Sequence, residues 1–355
     1  MRIAQVAPLF ESVPPRKYGG TERVVSYLTE ELVRQGHRVT LFAAGGSRTT
    51  AELVEVVERP LRGDPHWVIH ALVEVEKVFR RAADFDVIHF HSDHLHFPLL
   101  RYADVPVVTT LHGRQDVPGL LRLYQVFSDV PVISISDAQR APLPHARWMG
   151  TVPHGIPPGL FRLGAGSGGY LAFVGRISPE KRLDRAMEIA RQAGLQLIVG
   201  AKVDPADRAY FEQEIEPLLR GPGVEWLGEL SDGEKVELLA EALALLFPID
   251  WPEPFGLVMI EAMACGTPVL AFRGGSVAEV IQPGVTGAIV DSVDEAVAAL
   301  PGVLALDRAR CRQEFERRFS VGRMARDYVR VYERAIGATR RHVGAEWSAG
   351  AATLG

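Results

Sequence analysis

Two glutamates and a helix start are the residues whose types and spacing first suggest chemistry. Prolines keep residues 251–254 out of a helix, and Phe255–Ala264 has a helical pattern with Gly256 in its first turn. Free N–H groups and the helix dipole at such a start suit a phosphate. Glu253 and Glu261 lie eight residues apart, or about 12 Å along a helix, which is too far for a glycosidase pair. That spacing fits two carboxylates that bind hydroxyls at opposite ends of one long ligand, with a phosphate between them.

Two cations follow another predicted strand. The strand is predicted to end at Val174, Gly175 and Arg176 to form a turn, and Pro179 to start a helix that carries Lys181. Arg176 and Lys181 then both lie at the carboxyl edge of the strand. Two fixed cations at that edge can neutralise a diphosphate leaving group without a metal ion.

A glycine pair precedes the first predicted helix. Gly19 and Gly20 come directly before Thr21, a residue type that often caps a helix. Glycines at this place let backbone N–H groups approach a phosphate or a sugar closely. The dinucleotide pattern GxGxxG is absent after the first strand, so hydride chemistry has no support from a motif.

Histidines are concentrated in one half of the chain. Ten of the eleven lie in residues 1–154, and His112 ends a predicted strand. Four more occur within eight residues, namely His89, His91, His94 and His96. A metal site, the lining of a binding cleft and plain packing all remain open for these four. No second ligand cluster is spaced to complete a zinc site, so no metal is predicted.

The elements around these residues alternate between strand and helix. The alternation predicts two α/β domains, each a doubly wound parallel sheet, with a binding cleft between them. We predict domains at residues 1–157 and 158–322, because residues 154–169 are dense in proline and glycine. A terminal helix over 323–340 is expected to pack back on the first domain, and 341–355 to form a flexible tail.

Composition excludes several classes of protein. The chain has 355 residues and a formal charge of −5, so no global basic field is present to hold nucleic acid. Two cysteines exclude a disulfide framework and fit a reducing cytosol. No apolar run reaches the length of a membrane span, and peripheral membrane contact stays open. We therefore expect a cytoplasmic protein.

Several motifs in order carry a family resemblance. The segment EPFGLVMIEAMACGTPV resembles the paired-glutamate signature of the retaining GT-B glycosyltransferases of family 4. Other landmarks of that family follow each other along the chain, namely YGGTE at 18–22, DVIHFHS at 86–92, TTLHG at 109–113, SIS at 134–136, VPHG at 152–155, FVGRISPEK at 173–181 and VIQPGVTG at 280–287. The chain departs from the family pattern at Pro157, Ala201 and Lys202, near the expected hinge and base pocket.

The resemblance implies a function and a set of roles. It implies a retaining glycosyltransferase with GT-B architecture that moves a sugar from a nucleoside-diphosphate sugar to a hydroxyl acceptor. No carboxylate is obviously placed as a nucleophile, so we predict a metal-independent, front-face transfer. We expect a UDP-linked donor ahead of a GDP-linked one. The acceptor class, which could be a small molecule, a lipid-linked group or a saccharide, stays open. The implied catalytic residues are His112, Arg176, Lys181 and Glu253. The implied donor-binding residues are Gly19, Gly20, Arg176, Lys181, Glu253, Phe255, Gly256, Leu257 and Glu261, and the acceptor-side candidates are His91, His94 and Arg114.

Two other functions compete with this one. A nucleotide-sugar epimerase can use the same fold, but it would lack the ordered pair of Glu253 and Glu261. A catalytically silent sugar-binding subunit would not need to keep its glycines, cations and glutamates intact. No cofactor is predicted for the leading function.

Overall fold

The chain folds into two α/β units. The computed structural model describes residues 1–17 and 19–351, with side chains described through residue 338. Unit 1 comprises residues 1–135, 140–153 and the C-terminal residues from Val321 onward, and unit 2 comprises residues 136–139 and 154–320. Tyr18, part of the YGGTE motif, lies outside the described residues.

Unit 1 is built on a seven-stranded parallel sheet of order β3-β2-β1-β4-β5-β6-β7. Buried apolar residues cover both faces of the sheet, as in other parallel sheets that are flanked by helices. The strands are β1 (Arg2–Val6), β2 (Arg38–Ala44), β3 (Glu52–Val57), β4 (Val87–Phe90), β5 (Val107–Thr110), β6 (Pro131–Ser134) and β7 (Arg147–Thr151), and the first helices are α1 (Gly20–Arg34), α2 (Trp67–Arg80) and α3 (Leu120–Val126).

Unit 2 repeats the arrangement with six parallel strands of order β10-β9-β8-β11-β12-β13. The strands are β8 (Tyr170–Ile177), β9 (Gln196–Val203), β10 (Val224–Gly228), β11 (Ala244–Phe247), β12 (Val269–Phe272) and β13 (Gly287–Val290). The helices are α4 (Leu183–Ala193), α5 (Arg208–Tyr210), α6 (Glu216–Leu219), α7 (Asp232–Glu241), α8 (Leu257–Ala264), α9 (Val277–Val280), α10 (Val293–Leu304) and α11 (Arg308–Phe319). Two parallel sheets wound in this way confirm the predicted fold class.

Short helical turns connect the longer elements. Short 3₁₀ helices lie at Ala82–Asp84, Phe97–Tyr102, Ala138–Arg140, Pro158–Leu160, Pro179–Lys181 and Pro205–Asp207, and a π-helical turn lies at Phe211–Ile215. Proline is well suited to the first turn of such a helix, because its missing N–H is not needed there.

The last helix returns to the first unit. Helix α12 (Val321–Ala351) packs against α1, β4 and β5, with Tyr328 and Tyr332 fully buried. The helix continues through residues 341–351, which were expected to form a tail, and residues 352–355 lie outside the described part of the chain.

The structure divides the chain near the expected hinge, at residues 153/154 rather than 157/158. His154 belongs to unit 2 because its ring packs edge-on against Phe255 at 4.9 Å. Ile156 pairs with Ser320 of the same unit. Sequence reasoning also missed that the short segment 136–139 belongs to unit 2, where the Ser136 hydroxyl donates to the Pro254 carbonyl at 2.7 Å.

One arginine holds several loop carbonyls of unit 2. The Arg308 guanidinium donates at 2.7–3.3 Å to the carbonyls of Gly164, Ala240, Ala242 and Cys265 and to the hydroxyl of Thr267. Burial lowers the pKa of Arg308, yet the group has five acceptors around it. The arginine-rich helix α11 thus contains a structural cation.

We expect Arg308→Met to destabilise unit 2 by about 3 kcal/mol, because the substitution removes five hydrogen bonds and takes the arginine donor from the buried carbonyls of Gly164 and Ala242. Urea unfolding of the full chain measures the loss. Arg310→Met, two residues away and exposed, removes the same charge as a control. Equal stability of the two variants would contradict the structural role of Arg308.

Candidate active site

The strand order of unit 2 brings together the two segments that carry Lys181 and Glu253. The chain order reverses between β8 and β11, and ligands of open α/β sheets bind outside the carboxyl ends of the strands at such a reversal. Lys181 follows β8 and Glu253 follows β11. The residues are 72 positions apart in sequence, but Lys181 Nζ donates to Glu253 Oε2.

The Lys181–Glu253 pair is fixed by aromatic neighbours. The Trp251 indole N–H donates to Glu253 Oε2 at 2.8 Å. Lys181 Nζ also lies 4.6 Å from the centroid of the Trp251 ring and 5.5 Å from that of Phe247, positions that favour cation–π attraction. Glu253 is 8% exposed. The pair is therefore mostly shielded from water. Its two charges attract each other more strongly there than they would at a surface.

Backbone contacts hold the segment that carries Glu253. The Ser276 N–H donates to the Glu253 carbonyl at 2.9 Å, and the Ser276 hydroxyl donates to the Phe255 carbonyl at 2.9 Å. A Cβ on Gly275 would lie 2.2 Å from the Glu253 carbonyl oxygen, so this position needs glycine. The segment is thus closely constrained.

Helix α8 begins at Leu257, two residues later than predicted. Gly256 precedes it with φ 79°, a conformation that favours glycine, and a Cβ there would lie 2.6 Å from Met259 Cε. Phe255 is 3% exposed and packs between the rings of His154 and Phe319. A ligand at this helix start would therefore meet backbone and Leu257 before the Phe255 ring.

The second glutamate has its own lysine. Glu261 is 4% exposed and accepts a hydrogen bond from Lys235 Nζ of helix α7 at 2.5 Å. Lys235 Nζ also lies 3.7 Å from Asp232. Sequence reasoning missed Lys235, because its partner is 26 residues away on another helix. Both glutamates of the signature are thus bound to a lysine in the structure.

The prediction of a turn at Gly175 and Arg176 was wrong. Strand β8 runs on to Ile177, where Arg176 pairs in register with Lys202 of β9. Arg176 forms ion pairs with Glu180 and, at 3.3 Å, with Asp207. Burial raises the pKa of Asp207, and the Arg176 charge opposes that rise. The guanidinium therefore remains at the carboxyl edge of the strand, but it is held by strand pairing.

The segment around Lys181 also differs from the expectation. Pro179–Lys181 is a single 3₁₀ turn, and the α-helix begins only at Leu183. Arg182 between them adopts φ 53°, an uncommon backbone conformation for a residue with a side chain. Its guanidinium pairs with Asp184 and Asp250, at 2.7 and 2.9 Å. Arg182 is therefore engaged away from the Lys181–Glu253 pair.

In unit 1 the predicted N-cap was wrong. Helix α1 begins at Gly20, with Gly19 in the capping position and no side-chain cap, so Thr21 lies inside the helix. A Cβ on Gly19 would lie 2.7 Å from Pro15 Cβ, which explains why a larger residue does not fit. The glycine pair is still placed at a helix start after β1, near the reversal of strand order between β1 and β4.

The histidines of unit 1 form hydrogen bonds with protein groups. His89 contacts Tyr332 and Thr110, His96 contacts Thr109, and His91 contacts Gln5 and His112, all at 2.7–3.0 Å. His89, His91 and His96 are buried, and His94 is only half-buried. Within the described residues, no group of three or more histidine, cysteine or acidic side chains is arranged to hold a metal ion.

Burial determines the ionisation of the central histidine. It lowers the pKa of His112 to about 3, so the ring is neutral near pH 7. His91 is 3% exposed and hydrogen-bonds to His112, which makes it better placed to orient His112 than to touch an acceptor. Arg114, the third acceptor-side candidate, pairs with Asp116 at the surface.

Two similar units of this kind, with a paired lysine and glutamate at a strand-order reversal, define the class of protein as a GT-B glycosyltransferase. Residues 165–317 match the family model described as glycosyl transferases group 1, and residues 18–148 match the model described as Glycosyltransferase Family 4. The chain belongs to this family and is a glycosyltransferase.

Relatives span almost the whole chain. A phosphatidyl-myo-inositol mannosyltransferase of Mycolicibacterium smegmatis is 27% identical, with 95% of each chain covered. An alpha-maltose-1-phosphate synthase of Mycobacterium tuberculosis is 28% identical over 81% of this chain and 84% of its own. The structure of AviGT4, a glycosyltransferase involved in avilamycin A biosynthesis, matches with a TM-score of 0.72 at 26% identity, covering 95% of this chain and 98% of its own.

In the part of the chain that the structure describes, no helix combines the length and the apolar character needed to cross a membrane.

Proposed function

We propose that the protein is a retaining glycosyltransferase that transfers a sugar from a nucleoside-diphosphate sugar to a hydroxyl acceptor. The observation that carries this proposal is the Lys181–Glu253 pair at the strand-order reversal of unit 2. In that position one group suits a phosphate and the other suits sugar hydroxyls. Unit 2 would bind the donor, and unit 1 would bind the acceptor.

Donor binding would exchange partners within the site. The diphosphate would take Lys181 and Arg176 from the carboxylates that hold them, and Glu253 would then accept hydrogen bonds from hydroxyls of the sugar. Glu261 would bind the ribose, with Lys235 keeping its carboxylate in place. The free protein thus stores each functional charge beside an opposite charge, which limits the cost of burying it.

Transfer would proceed on one face of the sugar. The acceptor oxygen bonds to the anomeric carbon as the bond from that carbon to the phosphate oxygen breaks, and the leaving phosphate takes the proton of the acceptor hydroxyl. Arg176 and Lys181 stabilise the charge that develops on the phosphate, which is the reason we propose a metal-independent reaction. His112 contributes a neutral ring beside the sugar.

The base and the acceptor are proposed as classes. We propose a UDP-sugar ahead of a GDP-sugar as donor. For the acceptor we propose a hydroxyl compound, and phosphatidylinositol belongs in the panel because the Mycolicibacterium smegmatis relative is named for an inositol lipid. His94 and Arg114 are both half-buried, and we assign these two side chains to acceptor contact.

A donor screen tests the nucleotide. At a hundred times its dissociation constant, the correct donor should raise the free energy of unfolding by about 2.7 kcal/mol, which thermal unfolding detects. UDP-sugars and GDP-sugars are compared at equal concentration. Lys181→Met should lose this stabilisation and is the matched control. Stabilisation that persists in Lys181→Met would contradict the assignment of the diphosphate site.

Proton NMR of the product tests the reaction. We expect the anomeric configuration of the donor to be kept in the product. A product of inverted configuration would rule out front-face transfer, and conversion of the donor without any acceptor would favour an epimerase instead.

A further inference from the structure

A continuous chain of buried hydrogen bonds connects His112 to the last helix. We call it the histidine network, and its members are Gln5, His89, His91, Thr110, His112, Tyr328 and Tyr332. Each contact in it measures 2.7–3.1 Å. Apart from His112, every member is at most 3% exposed. Such a network is shielded from water, so each proton in it is constrained by its neighbours.

The direction of the protons can be followed from Gln5 to His112. The Gln5 amide oxygen only accepts, so His91 Nε2, 2.7 Å away, donates to it. Burial of His91 disfavours a second proton on its ring, so His91 Nδ1 is an acceptor. His112 Nε2, 3.0 Å from that atom, must then be the donor. The Nδ1 atom of His112 consequently carries the lone pair.

The hydrogen bonds beyond the Gln5 amide N–H continue in the same donor-to-acceptor direction. Gln5 Nε2 donates to the Tyr332 hydroxyl at 3.0 Å, and that hydroxyl donates to His89 Nδ1 at 2.7 Å. His89 Nε2 then donates to Thr110, which donates to Tyr328. The donors therefore follow one direction along the network from His112 to Tyr328, and the network reaches helix α12 at Tyr332 and again at Tyr328. Reversing the Gln5 amide would reverse the whole chain and place the His112 proton on Nδ1.

We propose that Gln5 and Tyr332 are positioning residues that hold His112 as the Nε2–H tautomer, and that transfer depends on this tautomer. The second half rests on the proposed function, in which the ring of His112 lies beside the sugar. In this state Nδ1 can accept a hydrogen bond and cannot donate one. Neither Gln5 nor Tyr332 touches the sugar in this proposal, because both are fully buried.

Strand β5 offers a matched control. Thr110 bonds to a buried histidine inside the network, and its neighbour Thr109 bonds to His96, a buried histidine outside the network, at the same distance of 2.7 Å. Thr109→Val therefore removes an equivalent hydrogen bond and leaves the network intact. Gln5→Met breaks the network at its centre with little change in volume, and Tyr332→Phe breaks it one step further away.

Nitrogen-15 NMR of the histidine rings in the full-length protein reads the tautomer directly. The His112 signals are assigned by their loss in His112→Gln. We expect wild type and Thr109→Val to have a single Nε2–H form of His112, and Gln5→Met to have a mixture of both tautomers. If Gln5→Met does not fold, Tyr332→Phe gives the same comparison. An Nδ1–H ring in wild type, or an unchanged ring in the network variants, would overturn the proposal.

Kinetics then separate the two halves of the proposal. We expect Gln5→Met to lower kcat by about 10- to 100-fold, the order of loss that a misplaced reacting group causes. KM for the donor should change much less, and Thr109→Val should behave as wild type. A changed tautomer with unchanged kcat would overturn the dependence of transfer on the tautomer. If wild type turns over no nucleotide sugar, the proposed function fails, while the NMR result still decides the tautomer.

Discussion

Lys181→Met should lower kcat/KM for transfer by about 100- to 1,000-fold, the cost of removing one preorganised charge from a transition state. In the free protein the Lys181 ammonium contacts Glu253 and faces the Trp251 ring. Methionine keeps the length and the apolar stem of lysine but cannot neutralise a leaving diphosphate. The loss should appear in initial rates with the donor that the screen identifies.

Arg182→Met is the matched control for Lys181→Met. Arg182 is adjacent and also cationic, but it pairs with Asp184 and Asp250. Partly exposed pairs of this kind contribute little to stability, so the variant should fold and keep near wild-type activity. Equal losses in the two variants would mean that Lys181 acts through net charge alone, and the assignment of the diphosphate site would fail.

The loss in Lys181→Met must be separated from damage to the fold. Removing the lysine leaves the buried Glu253 carboxylate without its ammonium partner, which destabilises a protein more than losing the pair does. Lys181→Met/Glu253→Gln removes both charges and should recover much of that stability. Its transfer activity should stay low. Recovery of activity together with stability would show that the pair is only structural.

The elements that position this site were predictable because their signals are local. The runs Ala244–Phe247 and Gly287–Val290 are uninterrupted by polar residues in the sequence itself, and in the structure they form β11 and β13. Strand β8 is longer than predicted, because a glycine that follows an apolar run indicates a turn when the sequence is read alone. In the structure, pairing with β9 carries the strand through Gly175 to Ile177. Register along a neighbouring strand is not visible in one segment of sequence.

The contacts inside the site were less predictable than its residues. The motifs contain Lys181 and Glu253, but no spacing reveals that an ammonium and a carboxylate 72 positions apart touch. The partners of His89 and Gln5 are more distant still, since Tyr332 lies 243 and 327 positions away. The sequence alone therefore could not decide whether these histidines form a metal site, line a binding cleft or pack in the core. Their contacts with the last helix become visible only in the structure.

Acid should destabilise the protein through its buried histidines. Burial lowers the pKa of His96 and His112 to about 3 and that of His89 well below its ordinary value. Unfolded histidines bind a proton near pH 6.5, so below that pH the unfolded state holds more protons than the folded one. Stability is therefore present above about pH 6.5 and is lost as the pH falls. Each such histidine contributes a slope of about 1.4 kcal/mol per pH unit.

Glu74 acts with the opposite sign in the same range. Burial raises the pKa of Glu74 well above 4.5. Once the pH exceeds the pKa of this carboxyl in the unfolded chain, the folded state therefore holds one more proton than the unfolded state. Its contribution is present at low pH and is lost as the pH rises, which offsets one of the histidines. The pH dependence of the unfolding free energy of the whole protein is thus the difference between these opposing contributions. A variant is needed to isolate the contribution of a single histidine.

His96→Gln isolates one of these protons, since His96 is buried and lies outside the histidine network. The glutamine amide cannot bind a proton, so the slope of unfolding free energy between about pH 4.5 and 5.5 should fall by about 1.4 kcal/mol per pH unit relative to wild type. Urea unfolding across that range measures the slope, which does not depend on any constant loss of stability in the variant. His145→Gln makes the same substitution at an exposed histidine and is the control variant. An unchanged slope in His96→Gln would mean that His96 is already protonated in the folded protein, and burial would then not be the cause of the acid sensitivity.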